Sequence, residues 1–107
     1  MIFITFISNE VIFCIESKHI TEIVRMVKIN PSDSDKISGF LDYRGDIIPV
    51  IESSKYIRNT SKTYQIDNII AICDFNSKKI AILTDDLKET LEVKDFSLEK
   101  SDFNIKY

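Results

Sequence analysis

Both glycines of the chain and one of its two prolines fall in a single stretch, "SGFLDYRGDIIPVI", Ser38 to Ile51. Glycine alone enters positive φ without steric cost, so Gly45, between Arg44 and Asp46, marks a sharp bend. The flanking residues Phe40 to Tyr43 and Ile47 to Ile51 are apolar and β-branched enough to form the two strands of a ribbon. Pro49 removes a ladder donor, which places it on an edge or at a bulge. Gly39 opens its strand, where a close backbone crossing or a corner is expected. Crossings, bends and bulges of this kind curl a sheet into a small barrel.

The remaining runs agree with a mainly β fold. Ile2 to Ile7 and Val11 to Ile15 are separated by "SNE" and read as a hairpin, with Phe3 and Phe13 as core anchors. In "ESKHITEIVRMVKI", Ile20, Ile23, Val24 and Val27 recur at three- and four-residue intervals. That spacing predicts one or two helical turns with Ser17 as the N-cap, passing into a strand toward Ile29. "NPSDSDK" reads as a polar loop. A short helix is expected around Lys55 to Arg58, a second hairpin from Ile69 to Asp74 and Lys79 to Thr84, and a further strand from Thr90 to Val93. Phe96, Leu98, Phe103, Ile105 and Tyr107 in the tail have spacings that suit docking on a core but fix no element. Several short strands with turn signals between them point to a barrel or sandwich.

A chain of 107 residues with 44% hydrophobic and 29% charged residues supports one ordinary core. Its net charge of -3, spread without a basic arm, argues against a nucleic-acid binder, which concentrates positive charge to meet phosphates. Cys14 and Cys73 each sit inside an apolar run and read as small core hydrophobes. The apolar opening is interrupted by Asn9 and Glu10, too short and polar to span a bilayer and without the features of a cleaved leader. A cytoplasmic protein is the expectation.

Chemistry is sparse. The single histidine, His19, reads as a surface residue, and without cysteine clusters no zinc site can be assembled. No glycine-rich loop exists to cradle a phosphate. Asp85 and Asp86 read as solvated carboxylates at a strand end rather than a cation site. Arg44, Gly45 and Asp46 read as a turn rather than an adhesion ligand. No cofactor and no catalytic residue is expected.

Gly39, Phe40, Leu41 and then Tyr43 to Val50 resemble the "GxxNLRGxxxPV" signature of the CheW-like domain family, the scaffolds of bacterial chemotaxis arrays. Upstream, Ile20, Thr21, Glu22 and Ile23 resemble the family's "VxEI" step. Downstream, "KIAILTDDLKETLEV" is similar to "vGllVDxVxeVl", with Ala81 at the usual glycine, Asp85 at the aspartate, and Leu87 and Leu91 at apolar positions. The three motifs cover about residues 2 to 93, which are taken as the CheW-like domain, with 94 to 107 as a tail. This sequence departs from the signature at Asp42 and Tyr43, and again at Glu52 and Ser53, where the family has "DL".

The resemblance implies a non-enzymatic adaptor made of two small SH3-like β-barrels on a shared apolar seam. It would bind the cytoplasmic domain of a chemoreceptor and the regulatory domain of the histidine kinase CheA. Carried over by motif, Ile20, Glu22, Ile23, Gly39, Arg44 and Val50 lie at or beneath the receptor-facing groove. Asp85 and Leu87 belong to the second barrel, which in the family meets the kinase. Gly45 and Pro49 shape the turn. A planar guanidinium beside a turn glycine can also fork onto a carboxylate, which makes Glu22 the expected partner of Arg44. The chain stops before the strand pair and helix that commonly end the family's fold, so one barrel is expected to lack a wall. Either the tail caps the open edge or two copies associate there. The rivals are a ligand-binding or enzymatic β-barrel, an oligonucleotide-binding barrel, and a truncated or degenerate family member without coupling activity.

Overall fold

Three hairpins with two-residue turns organise the chain. They appear in a computed structural model that describes residues 1–33, 37–58 and 67–93; the tail, with its expected capping of an edge, lies outside these residues. Strand β1 (Ile2–Ser8) pairs with β2 (Val11–Glu16) across Asn9 and Glu10, β5 (Gly39–Tyr43) with β6 (Asp46–Glu52) across Arg44 and Gly45, and β7 (Ile69–Phe75) with β8 (Lys78–Thr84) across Asn76 and Ser77. All six turn residues have positive φ, from 50 to 86°. Two-residue turns of this hand match the right-handed twist of the strands they join.

The fold is mainly β, in two sheets. The first has the order β2-β1-β9, where β9 (Asp86–Glu92) lies antiparallel to β1. The second has the order β3-β7-β8-β6-β5-β4, with β3 at Ile20–Arg25 and β4 at Asn30–Pro31. A short helix α1 (Ser53–Arg58) follows β6, close to the expected position. Each face of β7 serves one apolar cluster. Ile70 and Ile72 join Leu41, Ile48, Val50, Ala81 and Leu83 inside the larger sheet. Ile69, Ala71 and Cys73 join Phe6 in the seam between the two sheets.

Residues 17–27 depart from the helical reading. Ser17–His19 form a single 3-10 turn, Glu16 rather than Ser17 stands at its N-cap, and Ile20–Arg25 is the strand β3. The misleading spacing comes from a bulge. Ile20 faces Cys73 and Glu22 faces Ile72, so β3 spends one extra residue, Thr21, between successive partners. Ile20 and Ile23 consequently share the seam side, while Glu22 and Val24 turn to the other. Three-residue spacing is then compatible with an extended chain.

Other expectations are sharpened. Phe13 packs on the seam as a partner of Phe6, with ring centroids 5.5 Å apart, but Phe6 rather than Phe3 is the fully buried anchor. Cys73 is buried as expected, whereas Cys14 is exposed because its position in β2 turns it away from the seam. His19 is half-buried, its ring 4.8 Å from that of Phe75. Pro49 sits opposite Phe40, one residue short of the parallel pairing between β6 and β8 that begins at Val50. It therefore occupies the half of β6 that needs no second ladder. Gly39 is buried where its strand meets β4, and a Cβ there would collide with the carbonyl oxygen of Asn30. The strand Thr90 to Val93 is longer than expected and starts at Asp86.

Candidate functional site

The larger sheet places β3 at one edge and β5 near the other, four strand spacings apart. In a flat sheet that is about 19 Å. Glu22 nevertheless reaches both Tyr43 and Arg44, so the sheet curls enough to bring β3 within side-chain reach of the β5–β6 turn. Glu22 Oε1 accepts one hydrogen bond from the Tyr43 hydroxyl and one from Arg44 Nη2, each 2.7 Å long. The expected pair of Glu22 and Arg44 is thus present. The guanidinium also lies over the Tyr43 ring, 5.1 Å from its centroid.

Local structure positions each group. The bulge at Thr21 turns Glu22 inward over the mouth of the curled sheet. The Arg44-Gly45 turn lifts Arg44 off the hairpin at φ 51°, and Asp46 beyond the turn receives Lys79 Nζ at 3.1 Å. The hairpin tip is thereby tied on one side to β3 and on the other to β8. Arg44 keeps 72% of its side chain exposed and Glu22 34%, so water screens the pair and it contributes only about 0–1 kcal/mol. The contact leaves the Arg44 cation beside Glu22 and over the Tyr43 ring, open to solvent. The hydrogen bond to Glu22 holds the Tyr43 phenol above its ordinary pKa of 10.0, reinforced by desolvation and partly opposed by the Arg44 charge.

Tyr43 had no role in the sequence reading beyond being a departure from the family signature. Its adjacency to Arg44 was the available signal, since a phenol next to an arginine can share the arginine's carboxylate. Ser53 is a second informative departure. Its hydroxyl donates to the Leu83 carbonyl at 2.7 Å and lies 2.6 Å from that of Ser8, and both serines are buried. A buried hydroxyl has been given partners on two strands instead of an apolar anchor.

The expected site residues separate into groups. Ile20 and Ile23 are half-buried on the seam. Val50 is fully buried and Gly39 lies opposite it, so both sit beneath the surface. Asp85 stands where the chain passes from one sheet to the other. Its Oδ2 accepts the Asn9 amide at 3.0 Å, its carbonyl accepts Asn68 Nδ2, and its own amide bonds Ile7. It is a half-buried pin for the β1–β2 turn rather than a solvated carboxylate. Leu87 lies opposite Phe6 on β9 and is 39% exposed. The structure brings Glu22, Tyr43 and Arg44 together, and Asp85 and Leu87 belong to the smaller sheet.

A cleft of about 410 Å³ opens beside the cluster, lined by residues that include Val24, Val27, Leu41 and Tyr43. On the outer face of the hairpin, Ile47 is 75% exposed and Phe40 36%. Among the described residues, no three His, Cys, Asp or Glu side chains come together as a metal site, and no helix is long and apolar enough to cross a membrane.

Two β-sheets sharing an apolar seam, with a hairpin tip joined to an edge strand by an Arg–Glu–Tyr cluster, make up a small β domain. The CheW-like domain model matches residues 3–106, and the chain belongs to that family. Among solved structures it is similar to the scaffolding protein TtCheW from Thermoanaerobacter tengcongensis, with a TM-score of 0.77 and 23% identity. The match covers 88% of this chain and 62% of that one, so this chain spans less than two thirds of the length of TtCheW. Comparison with curated proteins gave no match.

Proposed function

We propose that the chain is a non-catalytic adaptor of a chemotaxis-type signalling complex, acting in the cytoplasm. It joins the cytoplasmic domain of a chemoreceptor to the regulatory domain of a CheA-type histidine kinase. The observation that carries this reading is the Arg44 guanidinium, fixed by Glu22 and the Tyr43 ring yet 72% exposed, on a hairpin that also presents Ile47. A charge already held in its bound geometry loses little freedom when a partner arrives, and an adjacent apolar side chain supplies burial. Membership of the CheW-like family supports this choice of partners. The smaller sheet, with Leu87 on β9, offers the kinase a separate surface.

Co-purification with a receptor cytoplasmic fragment and the kinase tests the proposal. Retention of the chain by either partner is the expected result. Absence of retention by both, from a chain whose circular dichroism is β-rich, would overturn it.

A further inference from the structure

The two sheets have four edges, and three of them carry features that discourage pairing with another chain. Strand β9 is charged at Asp86, Lys88, Glu89 and Glu92. Strand β3 has the bulge at Thr21 and charged side chains at Glu22 and Arg25, and β4 is two residues long and contains Pro31. The fourth edge is β2. From Val11 to Ile15 it holds no charge, proline, glycine or bulge, and its valine, isoleucines and phenylalanine favour extended chain. One side of β2 pairs with β1, and among the described residues nothing pairs with the other. Ile12 is 61% exposed there, and Cys14 is exposed. An apolar, unprotected strand edge is a template for a further strand.

We propose that this edge binds a second copy of the chain, β2 lying antiparallel to β2 across a twofold axis through Cys14. Backbone geometry and charge together select that register. Ser8 and Val11 flank the two-residue turn of the first hairpin, so they form a hydrogen-bonded pair, and the N–H and C=O groups of Ile12, Cys14 and Glu16 point away from β1. In a twofold pairing these outward groups meet one another. Two such registers keep most of β2 paired, one centred on Phe13 and one on Cys14. Centring on Phe13 sets Glu10 of each copy opposite Glu16 of the other, and like charges directly opposite are destabilising. Centring on Cys14 sets Ile12 opposite Glu16 and brings Glu10 toward Lys18 of the other copy. Lys18 is free to meet it, being 67% exposed and only 3.7 Å from Glu16 of its own chain. Opposite charges then meet at both ends of the contact. The edge of one short strand is small beside the surface of a stable dimer, so the association is weak and concentration-dependent. It holds whether or not the adaptor reading does.

Cys14 serves as the reporter, in the full chain. Opposed Cα atoms of a hydrogen-bonded pair are about 5.5 Å apart, a span that a disulfide bridges. Mild oxidation of the wild-type chain should therefore join two chains through Cys14, as read by non-reducing electrophoresis and peptide mass spectrometry. The control for chance collision is Ile12→Cys combined with Cys14→Ser. That thiol is on the same edge, but in the proposed register it lies about 13 Å from its copy, and it should cross-link about tenfold more slowly or not at all. Under reducing conditions, sedimentation velocity from micromolar to millimolar chain should show a dimer that grows with concentration. Cys14→Lys, which sets like charges opposite each other, should abolish it with circular dichroism unchanged. A monomer at every concentration, a dimer undisturbed by Cys14→Lys, or cross-linking of Ile12→Cys as fast as that of Cys14 would overturn the proposal.

Discussion

The hydroxyl of Tyr43 lies 2.7 Å from Glu22 Oε1, the same oxygen that receives the Arg44 guanidinium. One carboxylate at the edge of the sheet thus holds two neighbouring residues of a hairpin that the strand order places near the opposite edge. The curl of the sheet brings these three side chains together, and Arg44 is presented from that contact.

The first prediction concerns the phenol. The Glu22 hydrogen bond favours the protonated form, so the folded-state pKa of Tyr43 is raised above 10.0. The contribution to stability is complete below the unfolded value, and it is lost as pH rises through the folded one. Spectrophotometric titration should show one tyrosine ionising later than it does in Glu22→Gln. Identical titration curves for the two proteins would refute the coupling.

The two glycines should differ in the reason they resist substitution. Gly39→Ala forces a Cβ against the Asn30 backbone, an overpacking that costs roughly 1–3 kcal/mol or more. At Gly45 nothing lies near the missing Cβ, but φ is +86°, so alanine there costs about 1–2 kcal/mol in backbone strain. Asparagine tolerates that region and should recover part of the loss at position 45 and none at position 39. Urea unfolding of the four variants measures the difference.

Ser8 and Ser53 act as a unit. Ser53→Ala leaves the Ser8 hydroxyl without its 2.6 Å partner in a fully buried position, at a cost of about 1–3 kcal/mol. Ser8→Ala with Ser53→Ala should cost less than the sum of the single changes. A double-mutant cycle by denaturant unfolding that closes additively would show the two hydroxyls to be independent.

How far the sequence disclosed this architecture depends on which physical signal each segment carried. The hairpins were legible because apolar alternation and short polar turns coincide at residues 9–10, 44–45 and 76–77. The Glu22–Arg44 pair was legible from charge and from the turn glycine. Strand β3 was not, because a bulge at Thr21 produces on a strand the three-residue spacing that marks a helix. Cys14 was misread because β1 and β2 are apolar on both faces, and composition does not say which face is covered. Tyr43 was passed over because its role needs a partner 21 positions away, a contact that only the curl of the sheet creates. The burial of Val50 follows from its pairings to Gly39 and Ala81, and a parallel pairing between β6 and β8 leaves no local trace.

The thiols should separate cleanly. Burial pushes the Cys73 thiol up to about 11, and its side chain is inaccessible, so a thiol reagent at neutral pH should modify one cysteine in the native chain and two after unfolding. Peptide mapping should assign the native modification to Cys14. Native modification of Cys73 would contradict the buried seam.

The central claim, that the Arg44 surface is gripped by another protein, is tested most directly by calorimetric titration of a receptor cytoplasmic fragment with the wild-type chain and with Arg44→Glu. Reversing a charge at the proposed interface should weaken binding about tenfold or more, equivalent to about 1.4 kcal/mol, while circular dichroism stays β-rich. Equal affinities for the two proteins would remove Arg44 from the interface and contradict the account.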